Sequence, residues 1–99
     1  MIEPITSSLE PYEWDSETAV AYEAAVEAIN GVVGAYSALI AREEQQAEPD
    51  TAAIGGWRRQ QGECQRARES LNADDASQVR AARHEYAARL RQLQELMGR

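Results

Sequence analysis

Few side chains in this chain are equipped for chemistry. His84 is the only histidine and Cys64 the only cysteine. A general base needs an oriented partner and a nucleophile within reach. On a helix, His84 falls away from Val79, Tyr86 and Leu93, towards solvent. Cys64 recurs with apolar neighbours and reads as a small core residue rather than a nucleophile. Glu23 and Glu27 stand one helical turn apart, as two carboxylates of a metal site would. Helical metal sites also take a Glu-x-x-His from a facing helix, and His84 has no acid three or four residues to either side. The pair is therefore read as solvated. Gly55-Gly56 lacks the strand and spacing of a phosphate cradle. No catalytic residue, metal or cofactor is expected.

The remaining candidates are surfaces. Arg58, Arg59, Arg66, Arg68, Arg80, Arg83, Arg89 and Arg91 make the second half of the chain locally basic. A phosphate-binding face would look like this, but the net charge is −7 and glutamates punctuate the arginines. A solvated face, or an intramolecular match to acidic residues, fits better. Trp57-Arg58-Arg59 is the one place where a large ring and charge coincide, and tryptophan and arginine dominate binding hot spots. These three are the expected partner-binding residues. At the other end, seven acids and no base precede residue 28, which leaves an acidic mimic of nucleic acid as a further reading.

The elements that must carry these groups are helices. Tyr22, Val26, Ile29, Val33, Tyr36 and Ile40 recur at 4-3-4-3-4 spacing, a large-residue seam that Val32 and Leu39 widen. Ala24, Ala28, Gly31, Ala35 and Ala38 recur at 4-3-4-3 and land on nearly the opposite side, at about 100° per residue. Only Glu23, Glu27, Asn30 and Ser37 leave a polar strip. A helix apolar on most of its circumference has to be covered from more than one direction. The small stripe permits close approach of another backbone and is the expected self-association surface.

Pro4 and Pro11 favour an extended arm over 1–14, anchored by Ile2, Ile5, Leu9, Tyr12 and Trp14. Asp15 suits an N-cap, opening a helix over about 15–46. Pro49 interrupts it. A second helix over about 50–71 carries Ile54, Trp57, Cys64 and Leu71, weakened by Gly55, Gly56 and Gly62. Asp75 with Gln78 three residues on predicts a capping box and a third helix over about 75–97. That helix buries Val79, Ala82, Tyr86, Leu90, Leu93 and Met97, with Glu85–Arg89 and Glu95–Arg99 pairs on its surface. The architecture expected is all-α: a three-helix antiparallel bundle with a long first helix and an extended N-terminal arm, the domain occupying 15–99.

Length and helical content are those of small secreted helical hairpins with a Trp-x-Gly turn. Here the order is Gly55-Gly56-Trp57, and Tyr86 is followed four residues on by Leu90 rather than an acid, so the chain is not assigned to them.

No run approaches the roughly 20 uninterrupted apolar residues of a membrane span, and no basic-then-apolar leader opens the chain. A lone cysteine fits a reducing cytoplasm. Arginine without lysine, and much alanine, point to a GC-rich bacterial genome. The functional expectation is a non-enzymatic, acidic, cytoplasmic adaptor or inhibitor that binds a protein partner and self-associates, as a homo-dimer first. The rivals are a nucleic-acid-binding module using the arginine face, and an acidic inhibitor of a basic target.

Overall fold

The two apolar faces of the first helix are covered by the two helices that follow it. The structure, a computed structural model, describes the backbone of residues 2–98 and the side chains of residues 16–98. It is an all-α three-helix bundle in which α1 spans Ile2–Glu44, α2 Thr51–Ser70 and α3 Ala76–Met97.

α2 runs antiparallel to α1 along the large-residue seam. Gln61 Nε2 donates to the Val33 carbonyl at 3.0 Å and to Ser37 Oγ at 2.8 Å, Arg68 donates to the Asn30 side chain, and Arg58 pairs with Glu44. α3 reverses again and lies parallel to α1 over the small stripe. Leu90 seats on Gly31, and Arg42 Nη1 donates to the Met97 carbonyl at 3.0 Å. Cationic Arg42 thereby meets the negative end of α3. Ala25, Ile29, Val32, Tyr36 and Leu39 are buried along the line between the two coverings. Ala25, wholly buried, belongs to neither expected stripe; it sits midway between them, where both partner helices meet.

The two covering helices approach α1 more closely than they approach each other. Among the described residues, no Cα of α2 comes within 8 Å of a Cα of α3. Side chains close the gap near the connecting loop, where Cys64, Leu71, Val79 and Tyr86 are buried. Gln78 ties that loop: its Oε1 accepts from the Asn72 N–H at 2.7 Å and its Nε2 donates to the Ser70 carbonyl at 3.1 Å. The expected capping box therefore forms only by half. Asp75 Oδ1 accepts from the Gln78 N–H at 3.0 Å, but the Gln78 side chain clasps the end of α2 instead of returning to Asp75. The Asp75 N–H donates to the Asn72 carbonyl. At the other connection, Asp50 caps α2 through the Ala53 N–H while its own N–H donates to Glu43 Oε2.

Two expectations change. The extended arm over 1–14 is replaced by backbone that continues α1 to Ile2. Pro4 lies in the first turn, where a missing N–H costs no intrahelical bond, and Pro11 forfeits one bond without ending the helix. The helix likewise runs through Asp15 instead of starting there, so the expected N-cap does not form; the side chains of the anchors Ile2, Ile5, Leu9, Tyr12 and Trp14, and the Glu95–Arg99 pair, lie outside the described residues. Second, Ser16–Glu44 is long enough to cross a membrane and contains an 18-residue window apolar enough to do so, with a mean hydropathy of 1.5. Counting uninterrupted apolar runs missed this, because Glu27, Asn30 and Ser37 break the run without lowering the mean far. In this fold the apolar faces of that stretch turn towards α2 and α3.

The two mid-helix glycines of α1 separate cleanly. A Cβ on Gly31 would lie 2.9 Å from Leu90 Cδ2, whereas one on Gly34 would meet nothing within 4 Å. Gly34→Ala should raise unfolding stability by about 1 kcal/mol through helix propensity alone. Gly31→Ala should gain less, because Leu90 must shift. Urea titrations followed by circular dichroism check both, and a Gly34→Ala chain no more stable than the parent would contradict the reading.

Candidate protein-binding cleft

Away from the connecting loop, α2 and α3 leave a cleft at the end formed by the start of α2 and the end of α3. Tyr36 and Leu39 of α1 make its floor. Trp57 and Gln60 form the α2 wall, and Arg89, Gln92, Leu93 and Leu96 the α3 wall. The main recess holds about 470 Å³ and continues past Trp57 and Leu96 into a second of about 290 Å³ beside Arg42, Glu43 and Gln46. Leu96 is 47% exposed, one of two large apolar side chains so exposed among the described residues; the other is Val20 on α1. An open trough with an apolar floor and an amide-and-charge rim suits an apolar helix face better than an enclosed small molecule.

The inner end of the cleft is a half-buried cluster of polar groups. Arg89 donates to Glu85 Oε2 at 3.1 Å, and its guanidinium carbon lies 4.9 Å from the centre of the Tyr86 ring. Burial pushes the Tyr36, Tyr86 and Cys64 pKa values up, and the nearby Arg89 charge only partly offsets it. Cys64 is wholly buried and its thiol is held neutral, the opposite of an activated nucleophile. His84 is exposed on α3, and Glu23 and Glu27 are exposed on α1. Among the described residues, no three His, Cys, Asp or Glu side chains are grouped to hold a metal ion.

The structure distributes the expected site residues unequally. Trp57, half-buried, lines the cleft. Arg58 turns to Glu44 of α1 at 3.3 Å, and Arg59 is exposed. Successive helical positions diverge by about 100°, so the trio is not one patch. Of the small stripe, Ala35 is buried, Gly31 lies under Leu90, Ala24 and Ala28 are half-buried and Ala38 is exposed. α3 therefore occupies most of it. Tyr36 and Leu39 were expected in the large-residue seam and Leu96 lies at the edge of the α3 pattern, but none of them was singled out from sequence as a binding surface. The signal for Leu96 was present: it follows Leu93 by three positions and so flanks the buried face without completing it. Compared with known protein families, curated proteins and solved structures, the chain matches none.

Two outcomes follow from the buried cluster. A neutral thiol reagent should modify native Cys64 far more slowly than the urea-unfolded chain; equal rates would contradict its burial. Acidic groups whose folded pKa is raised bind protons more tightly in the folded state, so their stabilising share is present below their ordinary values and lost above them. Stability should fall as pH climbs past the ordinary thiol value of 9.0 and tyrosine value of 10.0. Melting curves across that range test it, and a rising melting temperature would reverse the sign.

Proposed function

We propose that this chain is a non-enzymatic protein-binding module of the cytoplasm, acting as adaptor or inhibitor, and that the cleft between α2 and α3 receives an apolar helix of its protein partner. The carrying observation is the gap itself: away from the connecting loop α2 and α3 part, with Trp57 and Leu96 facing the opening. Self-association belongs to the same reading. The small stripe contributes to it chiefly at Ala38, since α3 covers Ala35 and Gly31.

The arginine face supports the nucleic-acid alternative less well. Arg58, Arg68 and Arg89 are engaged by Glu44, Asn30 and Glu85 of the same chain. A net charge of −7 also repels a polyanion at long range. A free Cys64, buried and without a disulfide partner, favours a reducing compartment.

Partner capture from the native host, quantified with the purified partner, separates these readings. Trp57→Ala or Leu96→Asp should weaken binding at least about tenfold, the range of a hot-spot loss. Duplex or single-stranded nucleic acid should bind no tighter than about 10 µM at roughly 150 mM salt, where phosphate contacts are screened. Submicromolar, salt-sensitive binding lost in Arg58→Glu/Arg59→Glu would transfer the function to the arginine face.

A further inference from the structure

We propose that a second copy of this chain fills the cleft with its N-terminal segment, residues 2–14; this rests on the cleft being a helix-binding site. The segment has the chemistry the cleft asks for. Ile2, Ile5, Leu9 and Tyr12 recur at 3-4-3 spacing, the period of a single apolar helical face, and α1 is helical from Ile2. An apolar stripe of that kind matches a trough floored by Tyr36 and Leu39 and edged by Trp57 and Leu96.

Charge points the same way. Residues 1–15 carry four acids (Glu3, Glu10, Glu13 and Asp15) and no base, whereas α2 and α3 together carry eight arginines against four glutamates. The acidic segment of one copy thus approaches helices with an excess of arginine, which favours encounter, while the cleft lining itself balances Arg42 and Arg89 against Glu43 and Glu95.

Reach decides that the donor is another molecule. Glu17 and Thr18 lie beside Val79 and Arg80, at the start of α3, while the cleft is level with Tyr36 to Gln46. Nineteen residues of continuous helix separate Glu17 from Tyr36, about 28 Å at 1.5 Å per residue. The segment therefore leaves the bundle at the end opposite its own cleft, and donor and acceptor surfaces are distinct, as in a heterologous contact.

Light scattering on the full chain at tens of micromolar should give a mass of at least two copies. Leu96→Asp spoils the acceptor and Ile5→Asp/Leu9→Asp spoils the donor, so each alone should run as a monomer while keeping the helical circular-dichroism spectrum. Mixing the two variants reunites one intact segment with one intact cleft and should restore a mass of two copies. Leu96→Ala serves in the same mixture if the aspartate variant does not fold. A monomeric wild type, a variant that assembles as the wild type does, or a mixture that stays monomeric would overturn the proposal. A monomeric wild type whose captured partner is still lost on Leu96→Asp would remove the second copy as occupant and keep the cleft as the binding site.

Discussion

Everything in this fold answers to the circumference of α1. A helix with apolar side chains round most of its surface cannot be solvated, and one covering helix reaches only about a third of it. α2 takes the large-residue side and α3 the small-residue side, and the line where both reach is the buried core of Ala25, Ile29, Val32, Tyr36 and Leu39. The asymmetry of the two stripes has an energetic sense. Small residues let α3 approach closely enough for Leu90 to occupy the space over Gly31. On the bulkier seam, Gln61 and Arg68 of α2 reach α1 through hydrogen bonds.

The cleft is a by-product of that arrangement. Because each helix is fixed by its own stripe, the angle between α2 and α3 is set chiefly by the separation of the stripes on α1. Near the connecting loop Cys64, Leu71, Val79 and Tyr86 span the gap, with Gln78 binding the two helix ends together. At the far end the corresponding positions are Trp57 and Leu96. Neither completes a closed core: Trp57 is half-buried and Leu96 47% exposed.

The sequence made the three helices, their order and most of the core legible, because periodicity over twenty residues or more is a strong signal. The Asp75 cap followed from residue type and spacing alone. Four features were not legible, for separate physical reasons. Ala25 belongs to no stripe until two partners are present to define a meridian between them. Trp57-Arg58-Arg59 looks like a patch in one dimension, but adjacent residues on a helix point apart. The prolines argued for an extended arm, yet a first-turn proline and a single interior one leave a helix possible where the rest of the chain permits it. The cleft itself was illegible, since it depends on a distance between two helices that share no sequence signal.

The α2 wall is the one able to yield. Gly55, Gly56 and Gly62 each cost about 1 kcal/mol in a helix relative to alanine, and a Cβ at any of them would meet only an arginine guanidinium, 3.5–3.6 Å away. No packing constraint therefore demands those glycines. Two of them, Gly55 and Gly56, adjoin Trp57. What holds the start of α2 is local: the Asp50 cap, the Glu43 bond to the Asp50 N–H, the exposed Arg58–Glu44 pair and the burial of Ile54. Exposed ion pairs contribute little, and segments with few buried contacts open at low free energy. α3, by contrast, buries Val79, Tyr86 and Leu93 along its length and has its carboxyl end held by Arg42. A firmly held wall bearing Leu96 thus faces a more compliant one bearing Trp57, an arrangement that lets the cleft change its width without disturbing the core beneath.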